Sequence, residues 1–300
     1  ETDGVTVDYQ AKGSGAGIQD FINETVQFAA SDAAMSNEEI AKVQDGVVLL
    51  PMTAGEIVLA YNLDGVDELK LPRDVYPDIF LGEITSWNDE RIAKANPDVE
   101  LPDEPITVVV RSDSSGTTYV FTKHLSAIND GFKSGPGVGK TVQWPANDKL
   151  VKAPKNDGIT ATIKQTPGAI GYIEYGYAKL TGAKTAMLEN KSGEFVSPSA
   201  KSGSAALASA EFPEGDLPGQ EGSPDLRVWV TDPAGEEAYP IATFTWMLFY
   251  KKQDPEVAKA LREMIEYSLT TGQQMADKMG YIPLPDNVIA KVRDASKLIQ

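Results

Sequence analysis

The chain contains no cysteine, which excludes disulfides and thiolate metal centres and fits a protein working in a variable redox setting. Histidine is almost missing as well: His124 is the single one in 300 residues. No His/Cys cluster can therefore be assembled around a metal, and a serine nucleophile would have one imidazole to choose from. Positive charge is scarce, with 27 Lys and Arg against 44 Asp and Glu and a formal net charge of −17. That balance argues against nucleic acid or an anionic membrane surface as partner. No run approaches the ~18 apolar residues of a membrane span. No signal peptide opens the chain, as expected of a mature or trimmed form. Repeats of about 20–50 residues are absent too.

What remains is ordinary soluble-protein composition, 41% hydrophobic and 24% charged. Its length exceeds a comfortable single core and implies two domains. Residues 106–125 organise the rest. Ile106 to Val110 are β-branched and read as a short buried strand, Asp113 to Gly116 are turn and cap formers, and Val120, Phe121 and Leu125 recur at helical spacing. A strand feeding a Ser/Gly turn and then a helix leaves the first helical N–H groups unpaired at the positive end of the dipole, an arrangement suited to an anion. Ser114, Ser115, Thr117 and Thr118 add hydroxyls there, and Arg111 adds a planar fork of donors. Asp113 can clamp that fork or cap the helix. The same residues also make a plain N-cap and turn, and no Gly-Lys-Ser/Thr follows, so this is not a P-loop. The acidic net charge is a weak objection to an anion site, since distant surface charges are screened beyond ~8–10 Å.

Arg-Ser-Asp-Ser-Ser-Gly-Thr-Thr at 111–118 resembles the central motif of the periplasmic phosphate-binding proteins that serve bacterial ABC phosphate importers. Three further stretches match in family order: Tyr-Gln-Ala-Lys-Gly-Ser-Gly-Ala-Gly at 9–17, Phe-Ala-Ala-Ser-Asp-Ala-Ala-Met at 28–35, and Asn-Asp-Gly-Ile at 156–159 with Pro-Gly-Ala-Ile-Gly-Tyr-Ile-Glu-Tyr at 167–175. Tyr281-Ile-Pro-Leu-Pro closes the series. The resemblance implies a two-lobed type II periplasmic-binding-protein fold that binds inorganic phosphate and delivers it to a membrane ABC permease. It also implies a monomer in the periplasm or outside the cell, with a membrane anchor as an open alternative, and neither a cofactor nor a metal. It places Ser14 and Asp32 on one lobe and Arg111, Ser115, Gly116 and Thr117 on the other, all on the phosphate, with Asp113 orienting Arg111. The family begins with a further strand and helix, opened by a Gly-Ala-Thr/Ser-Phe segment that also touches phosphate. Nothing before Val5 can hold these, so the expectation is a trimmed chain or a cleft short of one wall, with an exposed sheet edge.

Alternating strands and helices throughout indicate an α/β class with mostly parallel sheets. Lobe I is expected from 1–52 and 242–300, lobe II from 53–241. The first crossing lies near Met52 to Gly55, between strands at Gly46–Pro51 and Glu56–Asn62. The return runs along Tyr239 to Tyr250. Val5 to Tyr9 alternates like a strand, and Ser14 in the Gly-rich turn after it can grip an oxyanion. Phe28 to Asp32 is a strand ending in an acid, followed by a Ser36/Glu39 capping box. An ionised Asp32 in a phosphate cleft only accepts hydrogen bonds. It therefore favours protonated phosphate over sulfate by roughly 1–3 kcal/mol, the cost of a buried acceptor without a donor.

Helices are expected near Val75–Leu81, Asp89–Ala95, Asp157–Gln165, Ala205–Ala210 and Asp286–Leu298, with Asp254 capping and Pro255 opening another. Residues 131–157 and 190–227 read as loop-rich. Strands are expected at Gly168–Tyr175 and Val228–Val230, and Trp87, Trp144, Met275 and Met279 as packing residues. The competing readings are a receptor for phosphonate, sulfate or molybdate, and a phosphomonoesterase. The enzyme needs an activated nucleophile, and His124 sits too far along the helix to serve Ser115, its default place being the surface or an interface.

Overall fold

A computed structural model describes residues 5–300. The strand Val47–Tyr61 is almost wholly apolar and buried on both faces, and it forms the spine of a seven-stranded sheet. Its first half pairs antiparallel with Ala242–Tyr250, from Val47 opposite Tyr250 to Glu56 opposite Ala242. Its second half, Ile57 to Tyr61, pairs antiparallel with Ala169–Glu174. Beyond that, Thr107–Arg111 and Leu150–Ala153 add on in parallel. Phe28–Ser31 pairs with Ala242–Tyr250 and forms the opposite edge.

Two hydrophobic cores flank this spine. Ile18, Phe21, Leu49, Trp246 and Leu248 belong to the first, and Leu59, Trp87, Val109, Phe121 and Tyr172 to the second. The chain thus has the α/β class and mixed sheets expected of it. Parallel pairing is the lesser part, however, because the long spine strand runs antiparallel to each of its partners. The spine is also one strand where two were expected. Thr245 faces Thr53 while Trp246 faces Pro51, so Met52 is an extra residue. A bulge of this kind accommodates a proline, which cannot donate to a ladder, without ending the strand.

Other local expectations hold. Ser36 and Glu39 form the reciprocal capping box, and Asp254 caps a helix with Pro255 in its first turn. Trp87 is fully buried and donates its Nε1–H to the Gly168 carbonyl at 2.9 Å.

Several do not hold. Val5 to Tyr9 forms no strand; among the described residues no neighbour pairs with it, and Val5, Val7 and Tyr9 lie exposed. Val228 to Val230 is not a strand either, and the helix expected at 205–210 runs from Ala200 to Leu207. The loop-rich stretch 131–157 holds the strand Leu150–Ala153. Ala206, Leu217, Leu226 and Val228, expected with lobe II, pack on the first core. Met275 and Met279 are exposed, because a π turn at Ser268–Gly272 changes the helical phase ahead of them.

Candidate functional site

Two helices point their N-termini at one another across the spine. One, Ser14–Ile22, opens after Gly13 with no side-chain cap. The other, Gly116–Ile128, opens after Ser115, whose Oγ accepts the Thr118 N–H at 3.1 Å. The leading N–H groups of each helix lack intrahelical acceptors, and the two dipoles present positive ends to the same space. The approach is close. A Cβ on Gly116 would overlap the Ser14 hydroxyl and stand 3.0 Å from Asp32 Cβ. Gly15 N–H donates to the Ser114 carbonyl at 3.0 Å, and Lys140 Nζ meets Glu39 Oε1 at 2.7 Å. The Gly-rich turns at 13–17 and 115–116 therefore serve contact between the lobes.

Arg111 ends its strand with its side chain buried. Its Nε and Nη2 donate to Asp113 Oδ1 and Oδ2 at 2.8 and 2.6 Å. Nη1 has only long contacts, 3.4 Å to Thr117 Oγ1 and 3.5 Å to Asn156 Oδ1, and stays available to a ligand. Asp113 Oδ1 also accepts the Lys155 N–H at 2.9 Å. Burial pushes the Asp113 carboxyl up, but the bonds from Arg111 and Lys155 and the guanidinium charge outweigh it and leave it below its ordinary value.

Opposite, the Asp32 N–H donates to Ser14 Oγ at 3.3 Å, and Asp32 Oδ1 accepts from Thr245 Oγ1 at 2.7 Å. Burial raises the Asp32 carboxyl above its usual range; the Thr245 hydroxyl and the charge of Arg111 oppose that shift without cancelling it. All six residues proposed from the sequence as ligands, Ser14, Asp32, Arg111, Ser115, Gly116 and Thr117, line one cavity of about 700 Å³. The cavity runs on to the sheet edge, between residues 8–12 and 25–31.

Sequence reasoning missed Thr245, Glu174 and Tyr281, which line the same cavity. Asn156, which lines it too, stands in the Asn-Asp-Gly-Ile motif with no role evident from the sequence. Thr245 could not be found, since 213 positions separate it from the carboxylate it supports. Glu174 is the penultimate residue of the 167–175 motif and ends its strand, and an acid ending an apolar strand is the available signal.

His124 differs from expectation: it is buried in the helix, with Nε2 2.7 Å from the Tyr76 hydroxyl. Burial pushes its imidazole down to about 3, so it is neutral and outside the cavity. It offers Ser115 no base.

The chain matches a family model described as a PBP superfamily domain over residues 1–271. It is 38% identical over 293 residues to the phosphate-binding protein PstS of Pasteurella multocida, covering 97% of this chain and 81% of that one. It is 35% identical over 292 residues to the PstS of Xylella fastidiosa, covering 96% and 77%. Among solved structures, a high-affinity periplasmic phosphate-binding protein (PfluDING) bound with phosphate superposes with a TM-score of 0.79 at 23% identity, over 98% of this chain and 89% of that one. That likeness establishes the shared two-lobed fold.

Proposed function

The chain belongs to the PstS family of phosphate-binding proteins within the PBP superfamily, and on that premise we propose that it captures inorganic phosphate between its lobes and hands it to an ABC-type membrane importer. The observation that carries this reading is the meeting of opposed chemistries in one cavity. On one side stand a clamped guanidinium, hydroxyls and a helix N-terminus; on the other stands Asp32, an acceptor. A tetrahedral anion that still holds a proton satisfies both at once. Its bare oxygens take the bonds from Arg111, Ser14, Ser115, Thr117 and the leading N–H groups, and its hydroxyl gives a bond to Asp32. Fully deprotonated sulfate or molybdate leaves Asp32 facing an oxygen without a hydrogen between them.

Bonds to charged partners contribute about 1.5–3 kcal/mol each. Several in a cleft closed to water give micromolar or tighter affinity without bond breaking. The ligand shifts the hinge equilibrium because only the closed form offers both walls. We read the protein as a periplasmic or extracellular receptor and not as an enzyme, since its single histidine is buried away from Ser14 and Ser115 and the relatives it matches are named as phosphate-binding proteins.

Isothermal titration at neutral pH is the test. Phosphate is expected to bind at micromolar concentration or below, with sulfate at least tenfold weaker and no sustained turnover of a chromogenic phosphate ester. Absence of phosphate binding, or steady ester hydrolysis, overturns the reading.

A further inference from the structure

Resting on that reading of the cleft, we propose that Glu174 is a specificity-determining residue that admits a doubly charged phosphate only while it stands as an uncharged acid, so that its loss of a proton closes the site under alkaline conditions. Glu174 ends the strand Ala169–Glu174 with its side chain turned into the cavity that Asp32 and Arg111 line. It is held from two directions. Oε2 accepts from the Tyr281 hydroxyl at 3.1 Å, and a Cβ on Gly55 would stand 2.9 Å from Oε1. Gly55 lies on the spine strand where the chain crosses between lobes, so the carboxyl is seated at the floor of the cleft.

No cation neutralises it. Among the described residues, no Lys or Arg lies within ion-pair distance of Glu174, and Asp113 holds Nε and Nη2 of Arg111. Asp32 is the charged group opposite. Tyr9 from the exposed front segment, Tyr177 from the helix after the strand and Tyr281 from the C-terminal part face the same space, and burial pushes the phenols of Tyr177 and Tyr281 up. Lys155 and Asp157 line the cavity from one helix, and Asp8 and the ion pair of Lys12 with Asp20 line its outer end.

Two carboxyls facing one cleft do not both ionise easily. Asp32 takes the charge, because the Thr245 hydroxyl and Arg111 favour its anion. Glu174 keeps the proton: burial and the charge of Asp32 push it up to about 8, and the Tyr281 hydroxyl offsets only part of that. Once Glu174 ionises, the cleft carries a second negative charge and repels the dianion. Binding then requires a proton to return to Glu174. By pH 8 inorganic phosphate is already mostly the hydrogen-phosphate dianion, so its own titration adds little to this limb.

The test is calorimetric titration with inorganic phosphate from about pH 7 to pH 9.5, on wild type, Glu174→Gln and Tyr281→Phe. In wild type the dissociation constant is expected to rise toward roughly tenfold per pH unit above about pH 8, the slope for one coupled proton. Titrations in two buffers of different ionisation enthalpy should show uptake of about one proton near pH 8.5. Glu174→Gln is expected to flatten the limb and abolish the uptake. Tyr281→Phe removes a donor that favours the charged form and is expected to move the limb to higher pH; it keeps the proposal testable should the Gln variant not fold. Equal limbs and equal proton uptake in wild type and the folded variants overturn the role of Glu174. Failure of wild type to bind phosphate at neutral pH would instead overturn the functional reading beneath it.

Discussion

The two walls of the cleft are built in opposite ways. The second-lobe wall, Arg111 to Thr117, comes from one unbroken turn and satisfies itself. Asp113 accepts from Nε and Nη2 of Arg111, and Ser115 caps its own helix. The first-lobe wall joins two turns 18 residues apart through a single bond, from the Asp32 N–H to Ser14 Oγ, and leans on Thr245 of the return strand. The carboxyls record the difference: Asp113 lies below its ordinary value and Asp32 above it. One wall is rigid before the ligand arrives. The other carries a carboxyl whose charge is fully compensated only by a ligand proton.

Removing the cation from the rigid wall tests that asymmetry hardest. Arg111→Ala is expected to weaken phosphate binding by at least ~2 kcal/mol, about thirtyfold or more, as for other buried charged partners truncated to alanine. It also leaves Asp113 with the Lys155 N–H as its remaining named partner. Calorimetry returning wild-type affinity would remove Arg111 from the site.

The same asymmetry explains what the sequence discloses. Arg111, Asp113, Ser115, Gly116 and Thr117 are legible because strand end, cap and helix start are neighbours in the chain, and each local rule names its residue. Ser36 with Glu39 and Asp254 with Pro255 are legible for the same reason. The resemblance to a known family brings in Ser14 and Asp32; without it, each reads as an ordinary turn residue. Thr245 and Tyr281 are illegible locally, because strand pairing and the bridge between Ala54 and Ile282 bring them to the cleft, and Glu174 shows only as an acid at the end of an apolar strand. Val5 to Tyr9 fails in the reverse sense: it has strand alternation, but alternation builds a strand only where a partner supplies the ladder. His124 has helical spacing, yet spacing does not tell which helix face meets Tyr76.

A smaller effect is expected on the first-lobe wall. Asp32→Asn keeps the shape and the bond to Thr245 but replaces a charged acceptor with a neutral group that also donates. Phosphate binding should weaken by about 1–3 kcal/mol, the range for losing a buried hydrogen bond to a charged group. Sulfate should lose less or gain, since the amide can give it a bond, so the ratio of the two affinities narrows. An unchanged ratio in competition titration removes Asp32 from the discrimination.

The smallest effect separates support from contact. Asp113 touches Arg111 and the Lys155 backbone, so Asp113→Asn should lower folding stability at neutral pH by only ~1 kcal/mol, the scale of a partly exposed ion pair. Its carboxyl is held below the ordinary value in the folded protein. Its contribution is therefore fully present above the unfolded carboxylate range near about pH 4 and disappears as pH falls through the lower folded value. Denaturant melts of wild type and variant should differ at pH 7 and converge in strong acid. A gap that persists unchanged into acid would mean that the variant perturbs packing, and that the Arg111–Asp113 pair is not what makes this wall the rigid one.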